Sequence, residues 1–284
     1  MTHTRVPHVG TVPELRQQVR HWRKAGERIG LVPTMGALHA GHIELVAQAK
    51  ERAERVVTSI FVNPAQFAPH EDFDRYPRTL DSDLDLLGPA GCDLVWAPTG
   101  AAMYPAGFAT RIVPTGAADG LESDFRPHFF GGVATVCTKL FTKVAPDFAV
   151  FGEKDYQQLC VMRQLVRDLD LPLEIVGAAT IREPDGLAMS SRNRYLSRAE
   201  RVIAPALNRT IMAVARAVAG GAEVAATCAK AADELEAAGF AKIDYVAVRE
   251  ADSLARIEPG TTMPRRVLAA AWLGKTRLID NVAV

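Results

Sequence analysis

The sequence predicts an α/β protein, with a mostly parallel sheet flanked by helices and then a smaller α+β domain. Through about residue 180, short apolar or β-branched runs alternate with helix-length stretches, the pattern of βαβ units. Beyond that, two alanine-rich helical stretches precede three strand-like runs without alternation. The length of 284 residues leaves room for two domains and a large core. The expected division is 1–179 and 180–284.

Residues 13–24 read as a helix, with Pro13 suited to its first position. Residues 29–32 read as a buried strand, 43–55 as a helix with Ile43, Val46 and Ala47 on one face, and 56–62 as a second buried strand. A short helix is expected over 80–87, stopped by Gly88-Pro89, then a strand over 93–96. Helices over 133–144 and 156–169 each lead into a strand, at 148–151 and 173–176. In the second domain, helices over 199–219 and 222–238 meet at Gly220-Gly221. Strands follow at 243–248, 266–273 and 276–279, the last two joined by a Gly274-Lys275 hairpin.

Lysine plus arginine and aspartate plus glutamate number 33 each, so no net charge steers the chain toward nucleic acid or an anionic membrane. Cys92, Cys137, Cys160 and Cys228 are widely spaced and read as reduced, buried thiols. No apolar signal core opens the chain and no stretch reads as membrane-spanning, so a cytoplasmic protein is expected.

The densest chemical signal is Pro33-Thr34-Met35-Gly36-Ala37-Leu38-His39-Ala40-Gly41-His42, between a strand and a helix. Chance placement at this composition yields His-x-Gly-His on the order of 0.01 times per chain. A strand turning through small residues into a helix presents backbone N–H groups and a positive dipole end to an anion. The two histidines add donors, and Gly41 allows close approach. A helix-capping pair of histidines is the competing reading. Zinc is a weaker one, because no third ligand has a telling spacing and no His-Glu-x-x-His occurs.

Gly152-Glu153-Lys154-Asp155 also follows a strand and opens a helix. A lysine there opposes the helix dipole unless an anion reverses the local field; otherwise it is a solvated side chain. Asp185 to Asn193 is a loop in which Ser190 and Ser191 offer donors and Arg192 a bidentate fork, with helix capping as the alternative. Ser197 with Glu200 forms a capping box for the following helix. Gln66 and Gln158, taken alone, read as surface amides. Asp81, Asp83 and Asp85 read as the polar face of a helix, with magnesium as the alternative. Residues 63–78, with Pro64, Pro69 and Pro77, form the longest aperiodic stretch, either a lid or a passive connection.

Taken together, the motif at 33–42, Phe61 to Phe67, Tyr76 to Thr79, Phe151 to Gln158, Asp185 to Asn193, Ala270 to Gly274 and Arg277 to Asn281 resemble the pantoate–β-alanine ligases, over almost the whole chain. The histidine motif alone is shared with a wider nucleotidyltransferase superfamily. The resemblance implies a Rossmann-like first domain, a homodimer, ATP and Mg²⁺. It implies attack of D-pantoate on ATP to give pantoyl adenylate and pyrophosphate, then transfer to β-alanine with release of AMP. By the same resemblance His42 is the catalytic histidine, aided by His39 and Lys154. ATP binding falls on Met35, Gly36, Ala37, Leu38, His39, Ala40, Gly41 and His42 in the first motif. It continues on Gly152, Glu153, Lys154 and Asp155, and on Ile181, Met189, Ser190, Ser191 and Arg192, the last three resembling a mobile phosphate loop. Gln66, Gln158, Asn63 and Arg126 fall on pantoate or β-alanine positions, and closure of 63–78 would protect the adenylate from water. No metal ligands are assigned, Mg²⁺ being carried mainly by the ATP phosphates. One departure stands out: Phe129 occupies the usual family histidine position, and no role is carried over to His128.

Two other classes of function remain open. One is a nucleotidyltransferase with a stable adenylyl product, the other a non-catalytic nucleotide- or RNA-binding module. The RNA version is weakened by the neutral charge and the lack of a basic, aromatic-studded surface.

Overall fold

In the computed structural model, which describes residues 5–68, 71, 73–258 and 260–284, the apolar runs of the first part of the chain become one six-stranded sheet. The chain enters through β1 (His8–Val9) and α1 (Val12–Lys24), whose start is a capping box between Thr11 and Glu14 with Pro13 in the first turn. It continues through β2 (Ile29–Thr34), α2 (Ala40–Lys50), β3 (Arg55–Ile60), α3 (Leu80–Leu87) and β4 (Leu94–Trp96). Two single-turn helices, α4 (Gly100–Met103) and α5 (Glu122–Phe125), lead to the long α6 (Phe129–Val144). Then come β5 (Phe148–Gly152), α7 (Tyr156–Asp168) and β6 (Glu174–Ala178).

Every pairing in this sheet is parallel, in the order β1-β4-β3-β2-β5-β6. Side chains alternate across it with period two. Val32, Val56, Val95 and Val150 pack against Val46 and Ala49 of α2 and Leu84 and Leu87 of α3. Leu31, Val57 and Leu94, in register on neighbouring strands, are buried on the other face. On that face Phe141 of α6 meets Phe151 of β5 edge-on at 6.3 Å. From β2 the chain moves outward to β3 and β4, then returns to the other side of β2 with β5. The order therefore reverses between β2 and β5, and ligands of such sheets bind beyond the carboxyl ends of the strands at that point.

The chain divides into two units. One runs up to Gly152 and resumes over Val161–Ala178; the other comprises Glu153–Cys160 and Ala179–Val284. Residues 153–160, read from sequence with the first domain, thus belong with the second. The cause is local: Asn281 Nδ2 donates to the carbonyls of Glu153 and Lys154, and Arg266 donates to the Glu153 carboxylate.

In the second unit α8 (Arg198–Ile203), α9 (Ala206–Ala219) and α10 (Val224–Ala238) precede an antiparallel meander of β7 (Lys242–Glu250), β8 (Arg265–Leu273) and β9 (Thr276–Ala283). Leu273 pairs with Thr276, so Gly274-Lys275 is the expected two-residue hairpin. Ser197 and Glu200 form the expected capping box. The single helix expected over 199–219 is broken at Ala204-Pro205, because proline has no N–H to continue the ladder. By length and composition the stretch Arg198–Ala219 does reach what a membrane crossing needs, a correction to the reading of the sequence. Its apolar side, with Leu207, Ile211, Val214 and Val218, is buried in this unit's core against Leu235 of α10 and Val267 and Ala269 of β8.

Asp244 on β7 is the electrostatic centre of the meander. It accepts from Trp272 Nε1, from Arg277 Nε at 2.7 Å and from Lys242 Nζ at 2.8 Å. Burial pushes its carboxyl up, but the bonds from Lys242, Arg277 and Trp272 outweigh burial and hold it below the usual carboxylate range. A depressed folded-state value means that this stabilisation is complete above the unfolded-chain value of about 3.9 and is lost as pH falls through the folded one. Asp244→Asn should cost about 3 kcal/mol at pH 7 and flatten the acid limb of the unfolding curve below about pH 4. Denaturant titrations at several pH values read both effects.

Candidate active site

The turn after β2 is built around two left-handed residues, Gly36 (φ 79°) and Ala37 (φ 53°). A side chain in that region costs roughly 1 kcal/mol or more. The compensation comes from α3. Asp83, 1% exposed, accepts from Ala37 N at 3.1 Å and Leu38 N at 3.0 Å, and also from the Thr79 hydroxyl at 3.1 Å. Read from sequence, Asp83 was one of three solvated aspartates; it is instead the clamp of this turn. Its spacing with Leu80, Leu84 and Leu87 places it on the apolar stripe, the signal that marks it out. Asp83→Asn puts an NH₂ group against an N–H or hydroxyl donor. It should cost about 1–3 kcal/mol, measured by thermal unfolding.

Released from that turn, the chain enters α2 at Ala40, three residues earlier than expected. His39 is the N-cap: its Nδ1 accepts from Gly41 N at 3.2 Å, while His42 Nδ1 accepts from His39 N at 3.4 Å. The two rings lie 4.1 Å apart. The capping reading is therefore correct as geometry, and it has a chemical consequence. An imidazole whose Nδ1 accepts a hydrogen bond carries its proton on Nε2 when neutral. The caps thus set both histidines as Nε2–H donors at a helix N-terminus.

A second cluster in the first unit surrounds Gln66. The segment Pro64–Gln66 is a single 3₁₀ turn capped by Asn63, whose Oδ1 accepts from Ala65 N. Asn63 is fully buried and saturated. Its Nδ2 donates to Gln66 Oε1 at 2.8 Å and to Gly132 O, and its Oδ1 accepts from the Tyr104 hydroxyl at 2.7 Å. Burial pushes the Tyr104 phenol up to about 12, so it remains a donor at neutral pH. Gln66 is itself buried, unlike the surface amide its type suggests. The turn packs backbone to backbone on α6 at Gly132. This helix starts at Phe129, four residues before the expected 133, and includes Gly132, whose missing side chain permits the close packing.

Arg126 closes this cluster. Its Nε and Nη2 engage both oxygens of Glu71 at 2.7 Å, Nη1 reaches Glu122, and Nη2 also donates to Gln66 O at 3.0 Å. Burial pushes the Glu71 carboxyl up, but Arg126 outweighs it and keeps it below the usual range. The Phe129 ring lies 4.0 Å from the guanidinium carbon. Further along 63–78, Phe67 packs edge-on against Phe73 and Tyr76. Pro69, within the expected lid, lies outside the described residues, as do His70 and Asp72.

In the second unit, Glu153–Asp155 form a 3₁₀ turn leading into α7. Lys154 Nζ lies 3.7 Å from Asp155 Oδ1. The turn is fixed from β8 and β9. Asn281 holds two of its carbonyls, and Arg266 bonds Glu153 and Asn281 while stacking 3.7 Å over the Tyr156 ring. Neither Asn281 nor Arg266 was assigned a role from sequence, since their partners lie more than a hundred residues away. Gln157 is buried and Gln158 partly so. Ile181 O accepts from Met189 N at 2.9 Å, bringing those two positions side by side across a short loop. That loop is anchored by the bidentate Arg182–Asp280 pair. Ser190 caps the 3₁₀ turn Ser191–Tyr195 by accepting from Arg192 N, so capping accounts for part of its chemistry. Beside these residues, Thr180 Oγ1 and Asn193 Oδ1 are buried without a hydrogen-bond partner, as polar atoms awaiting a ligand or water are. Among the described residues, no group of three or more His, Cys, Asp or Glu side chains converges as a metal cage.

A parallel sheet whose switch point carries a His-x-Gly-His helix start defines a nucleotide-binding α/β protein. The comparisons narrow this class. The chain matches the Pantoate-beta-alanine ligase family over residues 8–283. It is 60% identical to the pantothenate synthetase of Mesorhizobium japonicum over 279 residues, 97% of each chain, and 55% identical to that of Caulobacter vibrioides, over 97% of this chain and 98% of the other. The crystal structure of pantothenate synthetase from Thermus thermophilus superposes with a TM-score of 0.90 at 45% identity, covering 98% of this chain and 99% of that one. The pantoate-beta-alanine ligase from Francisella tularensis, complexed with beta-gamma ATP and beta-alanine, gives 0.82 at 32% identity, covering 98% and 97%. The chain belongs to the pantoate–β-alanine ligase family.

Proposed function

We propose that this chain joins D-pantoate to β-alanine at the expense of ATP, through a pantoyl-adenylate intermediate. The observation that carries the reading is the pair of capped histidines. Both present Nε2–H at the start of α2, beside a turn whose amides are locked by Asp83. A pantoate carboxylate oxygen attacks the α-phosphorus, and the bond to the pyrophosphate oxygen breaks. Charge grows on the α-phosphoryl and leaving oxygens. Preorganised donors favour that state over the ground state. His42 takes the role of principal donor, His39 supports it, and Lys154 adds a point charge to the phosphates.

ATP is held by Met35 to His42, by Gly152 to Asp155, and by Ile181, Met189, Ser190, Ser191 and Arg192, with the orphaned Thr180 and Asn193 oxygens beside the last group. Pantoate is held by Gln66 and Gln158. With Gln66 Oε1 held by Asn63, its Nε2 serves as the donor to a substrate oxygen. Asn63, being saturated, acts by holding Gln66 rather than by touching substrate. Mg²⁺ carried on the ATP phosphates would supply further charge neutralisation. In the second step the β-alanine amine attacks the acyl carbon, the bond to the AMP oxygen breaks, and the amine proton leaves to solvent. A homodimer in the cytoplasm completes the reading; both rest on family resemblance.

The test is staged. ATP, Mg²⁺ and D-pantoate should give pyrophosphate and enzyme-bound adenylate, with AMP and pantothenate appearing only after β-alanine is added. Pyrophosphate without AMP at any stage would move the chain to the nucleotidyltransferases. No pantoate-dependent pyrophosphate from a folded, ATP-binding sample would leave a binding module.

A further inference from the structure

The geometry points to Arg126 as a positioning residue that sets Gln66 for pantoate by clamping its backbone, rather than as a substrate ligand. The inference rests on the reading of Gln66 as a pantoate-binding amide. Arg126 has five N–H donors. Four are taken by protein: two by the Glu71 carboxylate, one by Glu122 and one by Gln66 O. The face of the guanidinium is covered by the Phe129 ring at 4.0 Å, and the side chain is only 15% exposed. A residue committed in this way has little left for a substrate carboxylate. What it does is join three segments: the turn bearing Gln66, the stretch bearing Glu71, and the α5–α6 junction bearing Glu122 and Phe129.

Gln66 is thereby held from two sides. Asn63 fixes its side-chain oxygen, and Arg126 fixes its carbonyl. Phe129 suits this arrangement, since an aromatic face stabilises a guanidinium without competing for its in-plane donors. Lysine could not replace Arg126, because a single ammonium cannot meet the Glu71 fork, Glu122 and a backbone carbonyl in one plane.

Steady-state kinetics of Arg126→Met, Gln66→Ala and the double variant test the proposal, with circular dichroism and thermal unfolding as folding controls. Arg126→Met should raise the pantoate KM by about ten- to a hundredfold, the scale of a displaced binding group, while the ATP KM changes by less than about threefold. In the Gln66→Ala background the same substitution should add little, because it acts through Gln66. Arg126→Lys should not rescue. Where Arg126→Met does not fold, Glu71→Gln supplies the readout, with a smaller rise in pantoate KM. A pantoate KM unchanged by Arg126→Met while Gln66→Ala raises it, or effects that multiply in the double variant, would overturn the proposal and leave the role of Gln66 intact. An unchanged pantoate KM in Gln66→Ala would instead remove the reading beneath it, and the proposal with it.

Discussion

Lys154→Ala should lower the rate of pantoyl-adenylate formation by about 10²–10³-fold, the scale for one preorganised donor on a developing charge, with little change in stability. The side chain is 20% exposed and its ion pair with Asp155, at 3.7 Å, is long, so its removal costs the fold little. The turn that carries it does not depend on the lysine side chain. Asn281 grips the Glu153 and Lys154 carbonyls, and Arg266 grips the Glu153 carboxylate. A structural lysine would show the opposite pattern. Single-turnover release of pyrophosphate, compared with the thermal midpoint, separates the two. Wild-type adenylation in a folded variant would remove Lys154 from the chemistry.

Gly132→Ala should destabilise the first unit by about 3 kcal/mol and weaken pantoate binding at the same time. A Cβ there would stand 2.1 Å from Ala65 O, 2.5 Å from Ala65 C and 3.0 Å from Gln66 N. All three are backbone atoms of a capped turn, so no side chain can rotate away. Either α6 retreats from the turn or the turn distorts, and both break the bond from Asn63 to Gly132 O. Thermal unfolding and the pantoate KM read the two consequences. An alanine variant with the wild-type midpoint would mean that helix and turn are not in the contact described.

Much of the fold was legible because its elements are written locally. The α3 helix falls at the expected residues, since Leu80, Asp83, Leu84 and Leu87 form one stripe and Gly88-Pro89 ends it. The 273–276 hairpin was legible from Gly274-Lys275. What failed depends on partners distant in sequence. β1 is two residues long and exists because β4 pairs with it. The start of α6 was hidden because Gly132 in its first turn serves a turn some seventy residues earlier. The grouping of 153–160 with the second unit depends on Asn281.

The candidate site divides in the same way. The histidine pair, the lysine turn and the serine loop announce themselves as motifs beside strands. The groups that hold them do not stand out in the same way: Asp83 under the turn after β2, Asn63 and Tyr104 behind Gln66, Arg266 and Asn281 behind Lys154. Tyr104, Arg266 and Asn281 reach partners far along the chain, which no local pattern records; Asn63 lies three residues from Gln66, and only the apolar stripe of α3 marks Asp83.

The central claim is that a pantoate carboxylate oxygen becomes bonded to the α-phosphorus of ATP. Pantoate carrying oxygen-18 in its carboxylate, turned over with ATP, Mg²⁺ and β-alanine, tests this most directly. Adenylate chemistry leaves one labelled oxygen in the AMP phosphate, and none in pyrophosphate. Label in inorganic phosphate or pyrophosphate, or unlabelled AMP beside labelled pantothenate alone, would contradict it.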